Sequence, residues 1–137
     1  MIWQDVIVNR KLTSDEVTWG ICQLFSLESS EVLVVDTIYK AKRIGKRMKV
    51  ICESRSISGE FCMLISIYLR DPKLARYSVR RTIGRFCEIL NCTCLISDKS
   101  NNPYSMLLVH SCKDYKKVFL DVERLDNHGE YVVSRCQ

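Results

Sequence analysis

Glu60-Phe61-Cys62-Met63-Leu64-Ile65-Ser66-Ile67-Tyr68-Leu69 is the stretch whose reading decides the fold. With the two-residue period of a strand it is apolar on both faces. Phe61, Met63, Ile65 and Ile67 point one way and Cys62, Leu64 and Tyr68 the other. A strand of that kind must be covered on both sides, so it belongs inside a sheet. The run before it, Arg47–Ser54, alternates Met48, Val50 and Cys52 with Arg47, Lys49 and Glu53, the mark of a half-covered neighbour.

Two amphipathic helices are expected around this centre. Upstream, Thr13 and Glu16 have capping-box spacing with acids in the first turn, and Val17, Ile21, Leu24 and Phe25 recur on one helical face. Gly20 weakens that helix somewhat. Downstream, Asp71-Pro72 predicts a second helix, with an acid at the cap and proline in the first turn. Its buried stripe reads as Ala75, Val79, Ile83, Phe86, Cys87 and Leu90, opposite Lys73, Arg76, Arg80, Arg81 and Arg85.

Further strands are expected at 2–9, 31–36, 93–97, 105–111, 117–124 and 130–134, the last two joined by the turn Asp126-Asn127-His128-Gly129. Each helix then heads a similar unit: Val32–Asp36 or Cys94–Asp98, a polar connection, and a hairpin. The pattern predicts one α+β domain over residues 1–137, mainly antiparallel sheet (one or two) with two helices and an αβββ pseudo-repeat.

A chain of 137 residues, 47% of them hydrophobic, can bury a core without covalent staples. The start, Met1-Ile2-Trp3-Gln4-Asp5, has no basic and apolar leader pattern, and no apolar run is long enough for a bilayer. Membrane association is not expected. The eight cysteines include no CxxC, and Cys92-Thr93-Cys94 has the spacing of neither a zinc knuckle nor a thioredoxin-like site. They are therefore expected to be reduced core thiols of a cytoplasmic protein, with no metal and no cofactor.

Catalytic chemistry is not expected either. Nucleophile-elbow, phosphate-loop, dinucleotide and zincin motifs are all lacking. His110, in an apolar run, reads as a satisfied core side chain, and His128 as a loop residue. Cys112 is the one cysteine close to a histidine in sequence, and Asp36 and Asp98 read as turn residues that bond their own backbone.

Charge is the most uneven property. Residues 37–85 hold 13 of the 21 Lys and Arg side chains against Glu53, Glu60 and Asp71, while the segments on either side are net acidic. The basic residues form two clusters: Lys40, Lys42, Arg43, Lys46, Arg47 and Lys49, then Arg76, Arg80, Arg81 and Arg85. Both are partner-binding candidates, through protein contact or through the phosphates of a nucleic acid over residues 40–49 and 73–85. The bland alternative is a solvated surface in which Arg47 and Lys49 are balanced by Asp121 and Glu123 on another strand.

Taken whole, the chain resembles the small immunity proteins of bacterial contact-dependent inhibition and related polymorphic toxin systems. The likeness is of type: size, cysteine-tolerant composition, α+β pattern, no catalytic motif, segregated charge. It implies a protein that binds one toxin domain and blocks its active site or the approach of substrate. Inhibitors of nuclease toxins are commonly acidic, and this chain is not. Acidic mimicry would have to come from Asp121, Glu123, Asp126 and Glu130, or the toxin surface itself would be acidic.

Overall fold

The doubly apolar run becomes a strand spanning Met63–Leu69, three places from one edge of an eight-stranded sheet. The computed structural model describes residues 2–37 and 44–136, with the side chains of Arg135 and Cys136 left aside. In chain order the elements are β1 (Ile2–Val8), α1 (Ser14–Phe25), β2 (Val32–Val35), β3 (Val50–Ser56) and β4 (Met63–Leu69). They continue with α2 (Val79–Leu90), β5 (Cys94–Ser97), β6 (Ser105–Val109), β7 (Tyr115–Leu120), α3 (Val122–His128) and β8 (Val133–Cys136). The sheet order is β2-β3-β4-β1-β5-β6-β7-β8. Among the described strands only β2 and β3 are parallel, so the expected α+β class with mainly antiparallel sheet holds, in a single sheet.

The pseudo-repeat is visible in that order. β2-β3-β4 and β5-β6-β7 lie in the same left-to-right sequence, separated by β1. They differ in their first strand, since β2 runs parallel to β3 whereas β5 runs antiparallel to β6.

Helices α1 and α2 share one face. Val17, Ile21, Leu24 and Phe25 from α1 and Ile83, Phe86, Cys87 and Leu90 from α2 meet Val6, Val8, Cys52, Ile65, Ile67, Cys94 and Ile96 of the strands. The capping box forms as expected: Thr13 Oγ1 accepts from the Glu16 amide at 3.1 Å, and Glu16 Oε1 from the Thr13 amide at 3.0 Å. On the opposite face Ile7, Phe61, Leu95, Leu108, Val118 and Leu120 make a smaller core, packed by Leu125, Tyr131 and Val133.

Two expectations are corrected. Asp71-Pro72 opens only a 3-10 turn, Pro72–Arg76, and α2 begins afresh at Val79 under a Ser78 cap. The chain is extended at Tyr77, whose ring packs edge-on against Phe25 at 5.6 Å, and that contact interrupts the helix. As a result Leu74 is buried, and Ala75 is exposed rather than part of the stripe.

The strand expected over 117–124 ends at Leu120, and a third helix, α3, replaces its end and the turn after it. Asp121 caps α3 by accepting from the Arg124 amide at 3.0 Å, and Gly129 closes it in the left-handed region at φ 64°. Asp121 and Glu123 therefore stand on a cap and a helix.

α2 lies so close to the turn between β6 and β7 that a Cβ on Gly84 would meet the Cys112 backbone at 2.7 Å. A Cβ on Gly20 would meet only the end of the Leu90 side chain, at 2.8 Å from Cδ1. Alanine favours a helix over glycine by about 1 kcal/mol at either place. Gly84→Ala should nevertheless destabilise by about 1–3 kcal/mol through overpacking against backbone. Gly20→Ala should be neutral or stabilising, because Leu90 can move. Urea unfolding of both variants checks the pair, and equal effects would contradict this packing.

Candidate functional site

Antiparallel pairing of β3 with β4 sets the chain's entry into β3 beside its exit from β4. Two segments distant in sequence therefore meet. The Arg70 amide donates to the Lys49 carbonyl at 2.8 Å, and Arg70 Nη1 donates to the Gly45 carbonyl at 2.8 Å. From there the chain runs through Pro72–Arg76 directly into the first turn of α2. Lys46, Arg47 and Lys49 thus lie beside Arg70 at one end of the sheet, while Arg80, Arg81 and Arg85 follow α2 toward the turn after β6. Lys40, Lys42 and Arg43 lie outside the described residues.

The gathered cations are not equivalent. Lys49 Nζ pairs with Glu31 at 3.0 Å and Arg47 with Glu28 at 3.6 Å. The acids that balance these two are thus on the turn before β2, not at Asp121 and Glu123. The Glu28 amide and Lys49 hold the Glu31 carboxyl below its ordinary range, and Glu31 raises Lys49. Lys46 is exposed. Arg80 is committed internally: its guanidinium sits 4.0 Å from the centre of the Tyr115 ring, and Nη1 donates to the Cys112 carbonyl at 2.8 Å. That residue fastens the β6–β7 turn to α2.

Arg76, Arg81 and Arg85 remain. They surround a cavity of ≈ 610 Å³ with Leu24, Tyr77 and Cys112 in its lining. None of the three forms an ion pair among the described residues. The first turn of α2 lies in the same wall, and its free amides add partial positive charge. Three cations around an apolar floor can take a carboxylate or phosphate together with an apolar group beside it.

The acidic candidates all fall on α3 and its two ends. Asp121 caps α3, Asp126 accepts from the Tyr104 hydroxyl at 2.8 Å, Glu130 is bonded to Arg124, and Glu123 pairs with His128 at 3.4 Å. Each thus has a partner within the chain, although Glu123 and Asp126 remain exposed.

His110 is exposed, contrary to the core placement its apolar neighbours suggested, and its Nδ1 lies 3.0 Å from Thr93 Oγ1. Cys112 is in the turn after β6, where its Sγ contacts the Arg81 carbonyl at 3.4 Å and the Glu88 carboxylate pushes its thiol up. Asp98 behaves as the turn acid it was read to be, accepting from Ser105 Oγ at 2.6 Å and the Ser100 amide at 3.0 Å.

One grouping was missed in the sequence. Cys87 on α2, Cys92 just past it and Cys94 at the head of β5 have sulfurs all within 4.8 Å of one another, and all three are buried. Thiol hydrogen bonds from Cys87 and then Cys94 hold Cys92 low against the effect of burial, with help from Arg10, whereas burial pushes Cys94 up. Attention to the Cys-x-Cys pair alone hid the set, because the third thiol comes from the preceding helix.

No protein-family profile matches the chain, and neither a curated protein nor a solved structure matches it significantly. No described helix is long and apolar enough to cross a membrane.

Glu88 Oε2 accepts the Cys112 amide at 2.8 Å, and that bond first, with Arg85 and Lys113 adding to it, holds its carboxyl below the ordinary range. A depressed carboxyl contributes stability above its unfolded value, about 4.3, that is lost as pH falls through the folded value. Glu88→Gln should therefore flatten the fall in urea midpoint below about pH 4 and leave the neutral-pH slope unchanged. An acid limb identical to that of the parent protein would show that the bond carries no linkage.

Proposed function

We propose that the chain is a non-enzymatic binding protein that captures one protein partner through Arg76, Arg81 and Arg85, in the manner of an immunity protein that covers a toxin domain. The observation that carries this reading is the contrast among the basic residues. Arg80, Arg47 and Lys49 have partners within the chain, whereas Arg76 and Arg81 face a shared cavity with no ion pair among the described residues, joined there by Arg85, which lies near Glu88. Exposed arginines around a part-apolar floor, which a partner would desolvate on binding, are the usual make-up of a protein–protein hot spot. The complementary patch would be acidic with an apolar or aromatic anchor, which accords with a basic inhibitor of a toxin whose contact surface is acidic.

Nucleic acid is the competing ligand, and it calls for a different layout. A phosphate backbone is best met by a track of exposed cations, each releasing counterions. Here the charge is concentrated around a concavity that includes Leu24, with Tyr77 38% exposed nearby. A compact, part-apolar site favours a folded partner.

The test is co-expression with the product of the neighbouring reading frame, followed by calorimetry on the purified pair. One-to-one binding is expected, with Arg76→Glu plus Arg81→Glu weakening it by roughly 100-fold or more, as loss of two hot-spot residues should. The unfolding midpoint should change little, since the side-chain contacts of the pair are limited to the exposed stacking of Arg76 on the Tyr77 ring at 5.6 Å. Undiminished affinity in the double variant would remove the site. Micromolar binding to generic DNA or RNA that collapses between low and physiological salt would move the function to nucleic acid.

A further inference from the structure

Away from the basic cavity, the local fold turns three thiols toward one point. Asn91 ends α2 in the left-handed region at φ 53°, and the Cys92 amide returns to the Cys87 carbonyl at 3.1 Å. This is the reversal that brings the residue after a helix against its last turn. Here both residues are cysteines. Two residues later Cys94 opens β5 on the same side of the strand, paired with Val8 and Val109. Cys87 Sγ also donates to the Val109 carbonyl at 3.3 Å, which fixes the side chain toward β6. Cys87, Cys92 and Cys94 are exposed by only 1%, 8% and 0%.

We propose that these three sulfurs are a trigonal site for a single soft, thiophilic metal ion, Cu(I). The donor set decides the class. Thiolates select Cu(I), Zn(II) and iron–sulfur clusters over hard cations. Structural zinc takes four ligands, and among the described residues no fourth His, Cys, Asp or Glu joins the group. Cu(I) is satisfied by three sulfurs. With metal–sulfur bonds of about 2.3 Å, trigonal planar coordination separates the sulfurs by roughly 4.0 Å. Since the thiols already lie within 4.8 Å of one another, closure takes less than an ångström of side-chain movement.

The surroundings fit an anionic sulfur set. Arg10 reaches over the end of α2, donating from Nη2 to the Leu90 carbonyl at 2.5 Å and to Glu16 at 3.1 Å. Its charge acts on Cys92, and its Nε is buried with no hydrogen-bond partner among the described residues. A buried donor of that kind is costly unless it gains an acceptor, and a metal-bound thiolate is one. Three thiolates carry more negative charge than one monovalent ion neutralises, and Arg10, itself paired with Glu16, offsets part of it at Cys92. Loading needs no redox partner: the ion enters and stays as Cu(I), and the thiol protons leave to water. Cys92, the most exposed of the three, marks the way in.

Anaerobic titration of the reduced full-length protein with Cu(I), in competition with bicinchoninate, tests the site. One equivalent should be withdrawn from the chelator. Cys92→Ala should weaken binding by more than the roughly 10–100-fold that outer-shell partners cost. Cys62→Ser, outside the group, should bind like the parent. X-ray absorption on the loaded parent protein should show three sulfur scatterers and no nitrogen or oxygen, a readout that stands even if Cys92→Ala does not fold. Four-coordinate zinc taken in preference to Cu(I), uptake unchanged by Cys92→Ala, a mixed donor set, or no uptake above chelator competition would each overturn the assignment and leave the thiols as core filling.

Discussion

The position of β1 is the constraint on which the rest depends. It is first in the chain, yet it pairs with β4 on one side and β5 on the other, joining the two αβββ units into one sheet. Its residues serve both cores: Val6 and Val8 face the helices while Ile7 faces the smaller cluster. The two junctions are unequal. β1 and β4 are registered from Ile2↔Tyr68 to Val8↔Met63, whereas β1 meets β5 only at Ile7↔Leu95 and Val8↔Cys94. Below that short pairing the strands part, and a second concavity opens between Trp3 and Asp98. Neither half of the sheet completes its interior without this strand, so the cores form together and the closing contacts are long-range.

That arrangement also accounts for where charge collects. Because β4 must run against both β1 and β3, its exit and the entry to β3 share one end of the sheet. From there the chain returns across the helical face through α2, which carries Arg80, Arg81 and Arg85 toward the turn after β6. Where Glu28, Glu31 or Tyr115 is near, the positive charge is used inside the protein. Arg76, Arg81 and Arg85 instead line a cavity and form no ion pair among the described residues, with Glu88 near Arg85.

Much of the architecture was legible because single-residue signals agreed with the periodic ones. Thr13 and Glu16 announced α1, and the two-sided run through Ile65 announced an interior strand. Misreadings came where signals conflicted. Val118, Leu120 and Val122 alternate like a strand, and that periodicity hid the Asp121 cap and the Gly129 stop that define α3. Pro72 does begin a helical turn, but the packing of Tyr77 on Phe25, invisible in sequence, breaks it. Of the basic candidates, composition could not separate Arg80 from Arg81. The difference is which way each side chain leaves α2, and only the packed turn at Cys112 fixes it. The grouping of Cys87 with Cys92 and Cys94 depends on one left-handed residue, Asn91, and was equally out of reach.

The central claim is that the working surface is the arginine-lined cavity beside α2 and not α3. Hydrogen–deuterium exchange of the protein, free and saturated with its partner, tests this most directly. The account predicts added protection in the segments around Arg70–Tyr77 and the first turn of α2, with Val122–His128 unchanged. Protection concentrated on α3 and Glu130, with the arginine-lined cavity still exchanging at its free rate, would contradict it.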